Sequence, residues 1–447
     1  MAAGLKRKAM DELLAWKKVK TKQALLVAGA RQVGKTFLIR QFAHEQYKHV
    51  IEINLIETPE ARTAFERATD ASSIMLRISA YATEDLVPGE TVIFIDEVQE
   101  CKELVTALKF LVDRYGEHYD FVFSGSLLGI ELRSIRSQPV GYLSVIEMFP
   151  LDFEEFCWAN GVSSLVIDEA RAAFEQRRPV DEVVDSRLND LFHSYLVVGG
   201  MPDAVSGFTG HADMQLVQRV QGDILNLYRY DISKYAGDRA RVVRRVFDLI
   251  PAELNTQGKR FVISHIEGES RFNRYDNAFM WLVDAGVALL TCNVTEPRYP
   301  LELSVDISYF KLFMSDIGLL SCACGMEVVR DVLAGRLDIN YGSMFENYVA
   351  QELVAHGLAS LPPERHLYFF RSRKMGELDF LVEMPRGHVL PLEVKSGKSY
   401  RRHSALSRAL RTENYGFTEA VVLHEGNVET DGPILYLPMY MTMFLHR

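Results

Sequence analysis

Two stretches of this 447-residue chain set residue types at spacings that suit chemistry. The first is Gly29-Ala30-Arg31-Gln32-Val33-Gly34-Lys35-Thr36, followed by Phe37. Its G-x-x-x-x-G-K-T spacing is that of a phosphate-binding loop. Gly29 and Gly34 let the backbone bend so that successive N–H groups point at phosphate oxygens. Lys35 reaches the β and γ phosphates, and Thr36 offers its hydroxyl to Mg²⁺. A helix starting near Lys35 adds the positive end of its dipole. A chance Gly-Lys-Thr turn is the bland alternative. The context argues against it, because apolar Leu25–Ala28 precede the loop and an amphipathic stretch with Phe37, Leu38 and Phe42 follows. Gly29, Arg31, Gln32, Val33, Gly34, Lys35, Thr36 and Phe37 are therefore the expected nucleotide-binding residues, with ATP and Mg²⁺ as cofactors. Lys35 is expected on an exposed loop.

Thr91-Val-Ile-Phe-Ile-Asp96-Glu97 supplies the matching half. A buried strand that delivers an acid at its C-terminal end places Asp96 beside the Mg²⁺ held by Thr36. Glu97 can then polarise an attacking water. The strand Asp120–Ser124 leads into Ser124-Gly125-Ser126. Ser124 or Ser126 is placed to bond the γ-phosphate or the water, and an ordinary strand exit explains the same residues equally well. Arg133 and Arg136 follow as candidates for an arginine reaching a neighbouring subunit's γ-phosphate.

The second stretch lies near the C-terminus. Gly376-Glu377-Leu378-Asp379-Phe380-Leu381-Val382 and Pro391-Leu392-Glu393-Val394-Lys395 alternate apolar and polar residues, as strands do. A hairpin turning at Pro385-Arg386-Gly387 and symmetric about Arg386 sets Asp379 opposite Glu393. Opposed carboxylates repel across a strand pair. A divalent cation reverses that sign. Lys395, on the same face, can orient a water or stabilise developing charge. Upstream, Ser343-x-x-Glu346 opens a helix. Glu346 is either a third metal ligand or the partner of Ser343 in a capping box, and both roles stand open. The alternative for the whole hairpin is a surface ladder of charges.

The elements that must position these residues follow from pattern. Strands at 50–54, 91–95 and 120–124 alternate with helices, which argues for a parallel, doubly wound sheet. A single strand separates the loop from the Asp-Glu pair in sequence. Residues 160–190 are polar and acidic with mixed helix signals, as in a lid or connector. From 239 to 330 the outline is helix, helix, strand, as in a winged helix. Arg239, Arg241, Arg244 and Arg245 crowd the first of these helices, and Arg271, Arg274 and Asn277 the start of the second. Such arginines can sit on DNA phosphates, although winged helices also serve as packing modules. The expected fold class is α/β, with an N-terminal P-loop, AAA-like ATPase domain (1–158) and a helical connector (159–238). A winged-helix-like domain (239–335) and a C-terminal α/β domain (336–447), restriction-endonuclease-like by the resemblance below, complete it. Net charge is −10, so any nucleic-acid surface is local. Five scattered cysteines have no zinc spacing and read as thiols of a reducing cytoplasm. The basic N-terminus lacks the apolar core of a signal peptide, and no apolar run reaches the ~18 residues of a membrane span.

Gly29-Ala-Arg-Gln-Val-Gly-Lys-Thr36, Asp96-Glu97-Val98-Gln99, Ser124-Gly125-Ser126 and Phe149-Pro-Leu-Asp-Phe-Glu-Glu-Phe156 together resemble a family of bacterial and archaeal AAA-type ATPases. Its members carry a C-terminal domain of unknown function with a nuclease-like fold. Gly199-Gly200-Met201-Pro202, Arg229-Tyr230-Asp231-Ile232 and Asp316-Ile-Gly-Leu319 also resemble segments of that family. Where many members have Gly-Arg, this chain has Gly141-Tyr142, which weakens an arginine supplied in trans. Asp379, Glu393 and Lys395 resemble the D…E-x-K signature of the PD-(D/E)XK nucleases. The resemblance implies ATP hydrolysis through Lys35, Thr36, Asp96 and Glu97 in a ring or spiral homo-oligomer, a hexamer among the sizes this admits. It also implies cleavage or gripping of DNA, branched DNA included, through Asp379, Glu393 and Lys395, with metal held by Asp379, Glu393 and Glu346. The alternative is a nucleotide-dependent switch whose nuclease-like domain is an inert module binding DNA or a protein.

Overall fold

The computed structural model describes residues 4–19, 22–68, 70–126, 141–211, 213–256, 261, 272–336, 342–360, 366–397 and 399–446. Arg133 and Arg136, the arginine candidates, lie outside the described residues, as do Arg271 and the stretch 262–264. Among the described residues, no helix is long and apolar enough to cross a membrane. The chain divides into two compact units, one of residues 4–149 with 284–286 and the other of the remainder.

The first unit is built on five parallel strands: β1 (Ala24–Ala28), β2 (His49–Asn54), β3 (Thr91–Asp96), β4 (Asp120–Gly125) and β5 (Leu143–Glu147). Their spatial order is β2-β3-β4-β1-β5. β4 thus lies between the strand that ends in the loop and the strand that ends in Asp96. Every residue of β3 is buried, as a continuous apolar run in a two-sided parallel sheet requires. Helices α1 (Ala9–Val19), α2 (Lys35–Gln46), α3 (Pro59–Glu66), α4 (Ala71–Tyr81) and α5 (Lys102–Tyr115) complete the unit. The apolar faces of α3, α4 and α5 join Ile51, Ile53, Ile93, Ile95, Phe121 and Phe123 in one core. β5 carries no strong sequence signal. It is an edge strand whose centre, Val145, is exposed.

The second unit begins with helices α6 (Phe153–Ala159), α7 (Ser164–Gln176), α8 (Glu182–Val198), α9 (Pro202–His211), α10 (Met214–Tyr235) and α11 (Ala240–Leu254). Asp152 caps α6 in a reciprocal box with Glu155. That cap turns Phe153 and Phe156 into an aromatic cluster with Phe192, Tyr195 and Tyr348. The acidic stretch 160–190 forms α7 and the start of α8. After α12 (Phe272–Asp284) come β6 (Ala288–Val294) and β7 (Val305–Met314). Helices α13 (Ile317–Cys324), α14 (Met326–Leu333) and α15 (Gly342–Ala355) follow. The chain then lays down β8 (His366–Ser372), β9 (Gly376–Met384) and β10 (His388–Val394), helix α16 (Ser404–Leu410), and β11 (Ala420–His424), β12 (Glu429–Asp431) and β13 (Ile434–Pro438).

These eight strands form one mixed sheet in the order β12-β13-β11-β10-β9-β8-β6-β7. The strand at 288–294, expected within a separate winged helix, pairs antiparallel with β7 and parallel with β8. Both of its faces are buried. An apolar run reports burial and is silent about which strand lies alongside, so the sequence pattern did not reveal this membership.

Two glycine-bearing segments and the stretch around Leu151 meet at a joint in this unit. Gly200 N–H donates to Asp316 Oδ2 at 2.6 Å, and Leu319 N–H to Asp316 Oδ1 at 2.9 Å. Gly200 also accepts from Leu151 N–H at 2.7 Å. A Cβ on Gly200 would stand 2.0 Å from the Leu151 carbonyl oxygen, and one on Gly318 would stand 2.4 Å from the Val198 oxygen. Both obstacles are backbone, so they cannot rotate away. We expect Gly200→Ala to cost about 3 kcal/mol of stability, at the upper end of overpacking effects. Urea unfolding of the full chain checks this, and an unchanged midpoint would show that the joint is loose.

Candidate functional site

The phosphate loop leaves β1 at Ala28 and enters α2 at Lys35. Gly29, Gln32 and Gly34 have φ of 144°, 67° and 92°. Glycine meets such angles without strain, and a polar residue meets Gln32's left-handed geometry at modest cost. Gly29 is doubly constrained, because a Cβ there would lie 2.2 Å from the Met148 carbonyl oxygen. Buried Arg7 ties the loop from behind, donating to Val33 O at 2.8 Å and to Phe149 O at 2.7 Å. Val33 is fully buried, whereas Phe37 is exposed on α2.

Lys35 departs from expectation. It is 7% exposed, the first residue of α2, and its ammonium donates to Gly29 O at 3.0 Å and Ala30 O at 2.8 Å. Burial lowers its pKa to about 8, against the pull of Glu97 and Asp96. A charge held there by loop carbonyls is poised for phosphate oxygens.

Asp96 is the hub of the other half. Its Oδ2 accepts from Thr36 Oγ1 at 2.8 Å and from Asn54 Nδ2 at 3.2 Å. Its Oδ1 accepts from Glu97 N–H at 3.0 Å and from the Ser124 hydroxyl. Thr36 and Asp96 therefore stand together as a hydroxyl and a carboxylate, the pair that fits Mg²⁺ shared with substrate phosphates and waters. Ser124, read as facing phosphate or water or as an ordinary strand exit, holds Asp96 and is fully buried. Glu97 sits at φ 54°, with its carboxylate accepting from Gln99 Nε2 and, at 3.4 Å, from Ser126 Oγ. Arg31 Nε donates to Ser126 Oγ at 3.2 Å, which links the loop to the candidate base. Sequence reasoning missed Asn54, Gln99 and Arg7. Asn54 carried a usable signal, since it closes β2 in direct register with Asp96.

In the second unit the β9–β10 ladder runs from Met384↔His388 to Phe380↔Leu392 and is centred on Arg386. That register directs Asp379 and Glu393 to the same end of the hairpin. Asp379 Oδ2 accepts from Val394 N–H at 2.8 Å. Lys395 Nζ donates to Glu393 Oε1 at 2.6 Å. Burial raises the Glu393 pKa, and Lys395 opposes the rise. Burial also works against the Lys395 charge, but Glu393 and Asp379 outweigh it, so Lys395 stays protonated. Glu346, on α15, meets a residue the sequence did not flag. Lys311 of β7 lies 3.3 Å from Glu346 Oε2 and 2.7 Å from Glu377 Oε1, and is 1% exposed. Ser343, the other half of the supposed capping box, bonds Asn255 instead. Among the described residues, no three His, Cys, Asp or Glu side chains form a group able to hold a metal ion.

The first unit is thus a P-loop nucleotide-binding domain with a parallel five-stranded sheet. Residues 21–157 match the family described as an AAA domain. Residues 189–329 match a domain of unknown function (DUF8612), and residues 341–440 match another (DUF4143). No curated protein matches the chain. Among solved structures, a Walker-type ATPase of Pyrococcus abyssi is similar at 15% identity with a TM-score of 0.41, over 72% of this chain and 96% of that one. The ORC2 protein of Aeropyrum pernix is 11% identical with a TM-score of 0.39, over 75% and 96%. The RuvB Holliday junction branch migration motor of Thermotoga maritima is 14% identical with a TM-score of 0.29, over 66% and 91%. At these scores the likenesses carry no further argument.

The lowered Lys35 pKa has a measurable sign. Phosphate attracts the protonated amine, so raising the pH through about 8 removes the favourable charge from the free protein. We expect ATP affinity to fall about tenfold between pH 7 and pH 9. Lys35→Ala should bind far more weakly and lose this pH dependence. A wild-type profile that stays flat to pH 9 in a fluorescent-nucleotide titration would contradict it.

Proposed function

We propose that this protein is an ATP-hydrolysing AAA-type molecular switch that acts on DNA. The observation that carries this reading is the convergence of Lys35, Thr36, Asp96 and Glu97 at the C-terminal ends of β1 and β3, the two strands that flank β4. Lys35 neutralises β- and γ-phosphate charge, and Thr36 and Asp96 would hold Mg²⁺. The bound ion supplies charge neutralisation at the phosphate oxygens. Asn54 and Ser124 keep the Asp96 carboxylate oriented. Glu97, fixed by Gln99 and Ser126, takes the proton of the attacking water. Completion of the site by an arginine from a neighbouring copy is part of this proposal, as is a ring or spiral assembly.

DNA is the proposed partner because Arg239, Arg241, Arg244 and Arg245 are all exposed in the first turns of α11 and just before it. Four cations on one helix end form a local phosphate-binding surface on an otherwise acidic chain. Gripping is favoured over cutting by the C-terminal cluster. There Lys311 and Lys395 already engage the carboxylates of Glu346, Glu377 and Glu393.

Steady-state phosphate release with and without DNA tests the proposal. Glu97→Gln should retain ATP binding and lose turnover by at least ~100-fold. Linear, circular, single-stranded and branched DNA should be shifted on a gel without being cut in Mg²⁺ or Mn²⁺. Turnover unchanged in Glu97→Gln would remove the assigned base. Cleavage lost in Lys395→Ala would restore the nuclease reading.

A further inference from the structure

We propose that Lys311 is the resident cation of the C-terminal acid cluster and closes that cluster to divalent metal ions. The inference rests on the non-cleaving reading above and goes beyond it, since a domain can bind a metal without cutting.

Four carboxylates approach one region of the sheet: Glu346 from α15, Glu377 and Asp379 from β9, and Glu393 from β10. Left alone, such a group is unstable without a cation. Besides Lys395 on Glu393, it contains a fully buried cation from β7. Lys311 Nζ lies 3.3 Å from Glu346 Oε2 and 2.7 Å from Glu377 Oε1, and 5.0 Å from the centroid of the Phe369 ring. Arg371 adds a second contact to Glu377, 3.4 Å from its Oε2. Burial works against the Lys311 charge, but Glu346, Glu377 and Asp379 outweigh it and keep the amine protonated.

This arrangement is a poor host for Mg²⁺ or Mn²⁺. Mg²⁺ requires near-octahedral oxygens at ~2.1 Å. Here Glu346 and Glu377 each give an oxygen to Lys311. Asp379 gives one to Val394 N–H, and Glu393 gives one to Lys395. Among the described residues, Glu393 Oε2 is the buried carboxylate oxygen of this cluster that has no hydrogen-bond partner. A divalent ion entering here would have to displace Lys311 and Lys395 from the oxygens they hold. Lys311 cannot simply withdraw, because it is 1% exposed on a paired strand and a second cation would force two buried positive charges together. The lysine also comes from outside the C-terminal signature. It lies within residues 189–329, whereas all four acids lie within 341–440. A reading of the D…E-x-K pattern alone therefore finds the acids and overlooks their counter-ion.

Electron paramagnetic resonance of Mn²⁺ with the full-length chain tests the assignment, using an Asp96→Asn background to remove the ATP-site contribution. We expect no bound Mn²⁺ in that background. Adding Lys311→Met should lower the melting temperature and create one Mn²⁺ site per chain. Mn²⁺ should raise the melting temperature of this variant, and Glu377→Gln should cancel the rise. Stoichiometric Mn²⁺ in the Asp96→Asn protein, lost on adding Asp379→Asn, would overturn the proposal whether or not Lys311→Met folds. A folded Lys311→Met variant that ignores Mn²⁺ would overturn it as well. Failure of the non-cleaving reading is seen separately, as cut DNA.

Discussion

A carboxylate removed from water has to be met by donors or cations, and both units are arranged around that requirement. In the first, Asp96 gathers Thr36 from the helix after the loop, Asn54 from β2, Ser124 from β4 and its own neighbour's N–H. Three separate elements are thereby aligned to one another at the sheet's C-terminal edge. In the second, Asp316 is wholly buried, and its pKa is pushed up to about 6 by burial against three backbone N–H bonds. Those bonds lock the Gly199-Gly200 turn to the start of α13. The lock is tight enough that a single methyl group does not fit at Gly200 or Gly318.

Helix α15 shows the same rule applied to a whole element. Its residues 343–353 are all buried, so its polar side chains must find partners inside. Asn347 exchanges two bonds with the backbone of Met314, Gln351 accepts from Ile317 N–H, and Glu352 accepts from Phe153 N–H. Glu346 faces Lys311. A helix buried on every side is thus tied to its neighbours through its polar residues. It terminates β7, seats α13 and receives the cap of α6.

The nucleotide half was legible because its chemistry is local. Loop, strand and acid are each short runs with fixed spacing, and Gly29 and Gly34 take the angles that spacing demands. The hairpin register about Arg386 was readable for the same reason, as turn and alternation together leave one pairing. What escaped was non-local. Lys311 sits in an ordinary alternating strand, and only folding brings it to Glu346 and Glu377. β6 reads as an apolar run, and one of its two neighbours, β8, is laid down much later in the chain. Lys35 reads from sequence as exposed because it ends a glycine-flanked loop. In the fold, Arg7 and Met148 close around that loop from behind.

The strand order has a consequence for how the chain comes into being. The first unit draws almost all of its residues from positions 4–149, so its five strands can pair while most of the protein is still being synthesised. The second unit has no such early option. β6 waits for β8 on one side, and the interior of the sheet is finished only when β13 pairs with β11. Lys311 has no Glu377 until β9 is made, and Met314 has no Asn347 until Gly342–Ala355 is made. A nascent chain stopped between α11 and β8 therefore holds a nearly complete nucleotide-binding module followed by helices that pack on one another but still lack most of the mixed sheet. Long-range pairing of this kind is slow and exposes apolar surface while it waits. Order of emergence from the ribosome, as much as final contacts, separates the two halves of this molecule.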